Sequence, residues 1–377
     1  MSKTIFLIRN VTPSSYGGAE TYQLELAEVL RHNGYKPIIV TSSEKLQENA
    51  RANKFTVINA PYFKQQNWSG WRNILLPIYM LKQIKLRKWY KQQIEKYQPV
   101  ALDIQSRDDW IAASLAGKDT GVKVFWTDHI DFRTWVLQNL NEKYKNLIGK
   151  HILKIAKDVD KIIMISDFEA KYFRTVAASY NLQNIVVIKN GVIDQKSLYE
   201  DEPIENNFCY VGRIVKYKGV GELIEAFNIF SDKNKTMTLD LYGTGPDFEK
   251  YQQLAEKNPR IIFHGFTDEP LEAIARSKFF VLPSYYEGLS MSLLQAAMLG
   301  KVPIATKEDG NPEIVEDHKT GLLVKSRSVN SLARAMFELV ENEAASKQMS
   351  INLRKKYEQE FDFEKTIQEK FIPLIEE

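Results

Sequence analysis

Short runs of aliphatic and β-branched residues recur along the chain. They alternate with longer stretches whose apolar residues return every three or four positions. The short runs predict strands at Thr4–Ile8, Lys36–Thr41, Lys54–Asn59, Val100–Ile104, Val122–Thr127, Lys161–Ile165 and Ile185–Ile188. The periodic stretches predict helices between most of them. In Ala19–Asn33, residues Ala19, Tyr22, Leu26, Val29 and Leu30 share one face, and Gly34 supplies the stop. Strands that are apolar throughout belong in a parallel sheet covered on both faces. The alternation breaks at Asp194–Asn207, which is polar, acidic and contains Pro203. It resumes with strands at Phe208–Val211, Thr236–Tyr242, Ile261–His264, Phe279–Leu282, Val302–Ala305 and Leu322–Val324, and from Asn330 the pattern is helical in three segments. The expected fold class is α/β: two doubly wound domains, 1–194 and 207–360, joined by a linker at 195–206 and facing each other across a cleft. Ligands of such sheets bind at the carboxyl ends of the strands, so the loops there carry the candidate chemistry.

Composition narrows the class. With 377 residues, 44% hydrophobic and 26% charged, the chain is neither collagen-like, disordered nor a disulfide scaffold, and its length suits two domains. The one cysteine, Cys209, has no partner within the chain, so a reducing compartment is expected. Ile5–Ile8 is too short for a signal-peptide core. The longest apolar run, Ile74–Leu81, is interrupted by Pro77 and falls short of the roughly 18–20 residues that span a bilayer. A cytoplasmic location is expected. The net charge of +3 conceals +10 over residues 1–195 and −7 over residues 196–377. A basic first half facing an anionic partner and neutral drift of surface charge both fit this asymmetry.

Three loops stand out. After the first strand, Gly17-Gly18-Ala19-Glu20 opens a helix whose free N–H groups suit an anion, although a Gly-Gly turn is as readily structural. Neither a P-loop nor a dinucleotide fingerprint is present. After the strand at Phe208–Val211, Gly212-Arg213 and Lys218-Gly219 place two cations where they can clamp a diphosphate, or simply form a solvated basic turn. After Leu282 the chain reads Pro283-Ser284-Tyr285-Tyr286-Glu287-Gly288-Leu289-Ser290. Glu287 is placed to accept from sugar hydroxyls, Ser290 to cap the next helix, and Gln295 lies in that helix's second turn. A plain loop carboxylate is the competing reading of Glu287.

Taken in order, these motifs resemble the family 4 glycosyltransferases of GT-B fold. The resemblance rests on Gly17-Gly18, Gly212-Arg213, Lys218-Gly219, Glu287-x7-Gln295 and Gly310-Asn311-Pro312-Glu313. The turns at Asn190-Gly191-Val192, Gly243-Thr244-Gly245-Pro246, His264-Gly265-Phe266 and Thr320-Gly321-Leu322 support it. It spans nearly the whole chain and is strongest over residues 208–325. It implies two Rossmann-like domains, the first for the acceptor and the second for the donor, with a C-terminal helix at 361–377 returning to the first. It also implies a retaining transferase that takes a nucleotide-diphosphate sugar, UDP- or GDP-linked, as co-substrate. Arg213 and Lys218 would neutralise the diphosphate and Glu287 would face the donor sugar. Gly288, Leu289 and Ser290 would contact sugar and phosphate, while Gly265 and Phe266 would lie near the base. Glu20 would touch donor or acceptor, and His129, in Trp126-Thr-Asp128-His129-Ile-Asp131, would stand near the reaction centre. Asp128 and Asp131 are expected to raise its pKa. The family usually has glutamate where Gln295 stands. Glutamine offers the ribose one neutral acceptor in place of a charged pair.

No residue is marked as a nucleophile on the sugar's far face. Front-face departure of the diphosphate is therefore expected, driven by charge stabilisation. No metal-ligand spacing occurs, so no metal or other cofactor is expected, and Asp108-Asp109 is expected to cap the helix that follows. Two alternatives stay open: a degenerate sugar-nucleotide-binding subunit, which Gln295 favours, and a nucleotide-sugar epimerase on the same fold. Residues 68–97 combine Trp68, Trp71, Trp89 and Tyr90 with Lys82, Lys85, Arg87, Lys88, Lys91 and Lys96, against one acid, Glu95. That mixture suits either a helix lying on an anionic membrane or an ordinary crossover helix. On the first reading the protein is peripheral at the inner face of the membrane and its acceptor is a saccharide or lipid-linked saccharide of the cell envelope. Nucleic acid is not an expected partner.

Overall fold

The structure is a computed structural model that describes residues 3–11, 17–62, 76–129, 136 and 146–377. It divides into two units, Met1–Lys189 with Glu364–Glu377, and Asn190–Phe363.

Among the described residues the first unit has seven strands: β1 (Thr4–Ile8), β2 (Lys36–Thr41), β3 (Thr56–Asn59), β4 (Ala101–Ile104), β5 (Lys123–Asp128), β6 (Lys161–Met164) and β7 (Ile185–Val187). All pair in parallel, in the order β3-β2-β1-β4-β5-β6-β7. Phe6, Ile8, Leu102, Ile104 and Trp126 on one face meet the helices Leu76–Tyr97 and Trp110–Thr120 in one core. Trp110 and Trp126 stack there at 5.2 Å, and both ring N–H groups are satisfied, by the Ile104 carbonyl and by Ser114 Oγ. The helix Gly18–His32 buries Tyr22, Leu26, Val29 and Leu30, as their spacing predicts. It stops at Asn33–Gly34, where Gly34 takes φ +82°. Lys54, expected to begin a strand, has φ +62° and belongs to the preceding turn, so β3 starts at Thr56. The terminal segment Glu364–Glu377 docks on this sheet. Phe371 meets Phe125 edge to face, and Lys123 Nζ donates to the Ile375 carbonyl at 3.1 Å.

In the helix Leu76–Tyr97, Tyr79, Gln83, Leu86, Tyr90 and Ile94 face inward. Tyr90 is wholly buried and so is not available to a membrane, while Trp89 is half-buried against the core. Trp68 and Trp71 lie outside the described residues. Among the described residues no helix is long and apolar enough to cross a bilayer.

The second unit has six parallel strands: β8 (Asn207–Val211), β9 (Thr238–Tyr242), β10 (Ile261–Gly265), β11 (Phe279–Leu282), β12 (Pro303–Thr306) and β13 (Leu322–Val324). Their order is β10-β9-β8-β11-β12-β13. The sheet separates two cores, one around Phe208, Phe227 and Phe230, the other around Phe280, Leu293 and Tyr357.

The boundary differs from the expected one. The chain passes between units at Lys189/Asn190 and again at Phe363/Glu364, not within 195–206. Residues just after Asn190 are already held by the second unit. Tyr357 Oη donates to the Val192 carbonyl at 2.8 Å, and Arg354 forks onto the Asp194 carboxylate. The polar run at 195–206 therefore marks exposed surface, with Leu198 and Ile204 on the outside, and not a hinge between domains.

Candidate active site

In each sheet the strand order reverses once, between β8 and β11 in the second unit and between β1 and β4 in the first. Adjacent loops run off in opposite directions there and leave a crevice at the strands' carboxyl ends.

In the second unit the loop after β8 carries Gly212 and Arg213. Tyr210 Oη donates to the Arg213 carbonyl at 2.8 Å, which fixes the backbone. The Arg213 side chain is exposed and makes no ion pair among the described residues. Gly219, at φ +70°, lets this loop run against the one after β11, since a Cβ there would lie 2.1 Å from the Pro283 carbonyl oxygen. Tyr285 N donates to the Tyr217 carbonyl at 2.7 Å and ties the two loops together. The consequence is an ion pair, Lys218 Nζ to Glu287 Oε1 at 2.5 Å, with both side chains largely buried. Glu287 N in turn donates to Asp309 Oδ2 at 3.1 Å. Sequence reasoning passed over Asp309, whose only local signal is the turn residue pair Asp309-Gly310.

Ser290 occupies the N-cap position of the helix Met291–Leu299 but does not cap it, contrary to expectation. Its hydroxyl lies 3.2 Å from Ser292 Oγ, and no side chain among the described residues hydrogen-bonds the first-turn N–H groups. Such an open N-terminus is an anion site. Leu289 is buried beside it, and Gln295 is half-buried in the second turn with no hydrogen bond among the described residues. Gly265 ends β10 and Phe266, 71% exposed, follows it; the Gly265 carbonyl accepts from Gly243 N at 2.6 Å. Arg213, Lys218, Glu287, Gly288, Leu289, Ser290 and Gln295 thus share one sheet's switch point, with Gly265 and Phe266 at the end of β10, separated from β8 by β9.

In the first unit, Arg9 follows β1. Its Nε donates to Glu20 Oε1 and its Nη1 to the Gln105 carbonyl, both at 2.8 Å. Glu20, 3% exposed, serves as Arg9's counter-ion. Gly17 is extended, at φ −173°, and a Cβ would come no nearer than 3.7 Å, to Glu20 Oε2, so neither its backbone nor its surroundings among the described residues require glycine. Gly18 begins the helix. Asp109 does not cap the helix Trp110–Thr120. Its carboxylate accepts from Ser106 Oγ at 2.5 Å, Tyr90 Oη at 2.6 Å and Asn10 Nδ2 at 2.9 Å. Burial raises its pKa in spite of these donors.

His129 follows β5 with its ring edge-on to Tyr22, centroids 4.7 Å apart. Its Nε2 is shut off from solvent and has no hydrogen-bond partner among the described residues. Burial, then the charge of Arg9, holds its pKa well below the usual value, the reverse of the expected rise. Asp131 lies outside the described residues. The imidazole is therefore neutral at pH 7.

One turn along the same helix from Tyr22, Glu25 has a buried Oε2 with no hydrogen-bond partner among the described residues, and burial lifts its pKa from 4.5 to about 8. Between those values the folded chain keeps a proton that the unfolded chain has released, so stability falls as pH rises through that window. Glu25→Gln is expected to raise Tm, by more at pH 8 than at pH 5. An equal gain at both, measured by thermal melts, would contradict this reading of Glu25.

The sequence was compared with known proteins. Residues 16–196 match the family described as Glycosyltransferase Family 4, and residues 193–356 match Glycosyl transferases group 1. An uncharacterized glycosyltransferase of Methanocaldococcus jannaschii is 32% identical over 240 residues, 60% of each chain. A poly(ribitol-phosphate) alpha-N-acetylglucosaminyltransferase of Staphylococcus aureus is 24% identical over 60% of this chain and 46% of its own. The matches therefore span about half to three-fifths of these relatives' lengths. Among solved structures, Anabaena HepE in complex with UDP-glucose superposes with TM-score 0.77 at 16% identity, over 99% of this chain and 100% of its own. TarM superposes with TM-score 0.78 at 14% identity, over 100% and 99%. The shared fold is GT-B, with two Rossmann-like parallel sheets and C-terminal helices.

Proposed function

The chain belongs to the family 4 glycosyltransferases, and from that premise we propose that it moves a sugar, with retention of anomeric configuration, from a nucleotide-diphosphate sugar to a saccharide or lipid-linked saccharide of the cell envelope. The observation that carries this is the group at the β8/β11 switch point: an unpaired guanidinium, a Lys218–Glu287 pair and an uncapped helix N-terminus. Arg213 offers a planar fork to two phosphate oxygens. Lys218 adds a point charge, and the first-turn N–H groups of Met291–Leu299 receive the remaining phosphate oxygens. Glu287, held by Lys218 and Asp309, accepts from hydroxyls of the donor sugar.

The bond from anomeric carbon to phosphate oxygen breaks as the acceptor hydroxyl attacks on the same face. The acceptor's proton passes to the departing phosphate. The catalytic contribution is charge stabilisation of that leaving group by groups already in place. Arg213 and Lys218 neutralise it without a divalent ion on this reading, and chelator-treated enzyme should keep its rate. His129, neutral and with no hydrogen-bond partner at its buried Nε2 among the described residues, serves the first unit's ligand as a hydrogen-bonding group once that nitrogen is reached.

Thermal shift against UDP, GDP, ADP, TDP and their sugar conjugates tests the donor site. The HepE crystal contains UDP-glucose, so UDP comes first. Selective stabilisation by one nucleotide is expected, and no shift at millimolar ligand would overturn the donor reading. Gln295 supports a second reading, a subunit that binds sugar nucleotide without turnover. Gln295→Glu is expected to tighten nucleotide binding about tenfold, since a carboxylate makes charge-assisted bonds to two ribose hydroxyls. Unchanged affinity in titration calorimetry would remove Gln295 from the ribose contacts.

A further inference from the structure

We infer that the outward face of the helix Leu76–Tyr97 docks this chain on an anionic lipid surface. The inward face is fully committed: Tyr79, Gln83, Leu86, Tyr90 and Ile94 are buried against the first unit's core. A surface helix ordinarily turns polar residues to the other side. Here Ile78, Leu81 and Ile84 are 51%, 61% and 60% exposed. Spaced by three, they form an apolar stripe over the first two turns. Beside it, with the same spacing, runs a stripe of exposed lysines: Lys82, Lys85, Lys88 and Lys91.

The face is nearly free of acid. Glu95 is the one carboxylate in the helix and lies 4.0 Å from Lys91. Arg87 points away from the stripe, toward Asp119. Lys85 and Lys88 make no ion pair among the described residues.

The chemistry of the two stripes selects the occupant. Aliphatic side chains of this length reach just below a layer of headgroups. Lysine stems lie along the apolar stripe and lift their ammonium groups to phosphate level. Each lysine near an anionic surface adds attraction, and the +10 balance of residues 1–195 has the sign that strengthens it. The proposal does not rest on the donor reading, because the helix lies in the first unit and Arg213, Lys218 and Glu287 lie in the second.

The test is sedimentation of the full chain with vesicles of phosphatidylcholine alone or with about a third phosphatidylglycerol. Partition onto the anionic vesicles is expected to exceed that onto the neutral ones at least tenfold and to fall with added salt. K85E with K88E is expected to lower it tenfold or more. I78S with L81S and I84S is expected to lower it at every salt concentration. All five positions except the half-buried edges of their stems are solvent-exposed, so both variants should keep the parent's Tm and nucleotide-induced shift. Those two readings separate failure of this proposal from failure of the donor assignment. Equal binding to both vesicles, no binding to either, or variants that partition like the parent would overturn it. Absence of lipid binding would assign the face to a protein partner or a second copy.

Discussion

Arg213→Ala is expected to lower kcat for sugar transfer roughly 10²–10³-fold, the effect of removing one preorganised donor from a developing anion. The side chain is exposed and makes no ion pair among the described residues, so its loss should move stability by no more than about 0.5 kcal/mol. That separates it from Lys218, whose removal would strand the largely buried Glu287 carboxylate and confuse folding with chemistry. Arg213→Lys should recover only part of the rate, because an ammonium keeps the charge and loses the two-pronged geometry. Initial rates with saturating donor, alongside nucleotide thermal shifts, make the measurement. A kcat within threefold of the parent would remove Arg213 from the leaving-group site.

Gly243→Ala is expected to cost about 2–5 kcal/mol and, in a unit of this size, to lower Tm by about 10 °C. Gly243 has φ +137°, a conformation that L side chains rarely adopt, and a Cβ there would lie 1.8 Å from the Gly212 carbonyl oxygen. Both partners are backbone, so neither yields by changing a rotamer. The strain would pass into Gly212-Arg213, and donor affinity should fall with stability. Gly34→Ala is the control. Its φ of +82° is also strained, but nothing lies within 4 Å of the added carbon, so about 1 kcal/mol is expected. Equal melting losses in the two variants would show that backbone sign, and not the close approach to Gly212, dominates at Gly243.

The candidate site was legible only in part. Arg213, Lys218 and Glu287 stand out because polar residues directly after buried strands have few purely structural reasons to be there. Their pairing did not stand out. Lys218 and Glu287 are 69 residues apart, and they meet because β8 and β11 are neighbours although not consecutive. Asp309, which receives Glu287 N, enters only through β12's place next to β11. The same non-local contacts overturned single-residue expectations. Asp109 accepts from three side chains instead of capping, and burial, followed by Arg9's charge, pushes the His129 pKa down where flanking aspartates suggested a rise.

By itself the sequence determined the elements and their class. Thirteen apolar runs became thirteen parallel strands, with ends displaced by one or two residues where a turn such as Lys54 intervened. In the inner strands that follows from burial on both faces, which demands continuous apolar residues and is written locally in the chain; the edge strands β3, β7 and β10 are less buried and carry shorter or interrupted apolar runs. Tertiary structure decided which loops became neighbours, which charges are paired and which remain open, and where the chain crosses between units. Those depend on strand order and on contacts between distant residues, and no window along the chain records either.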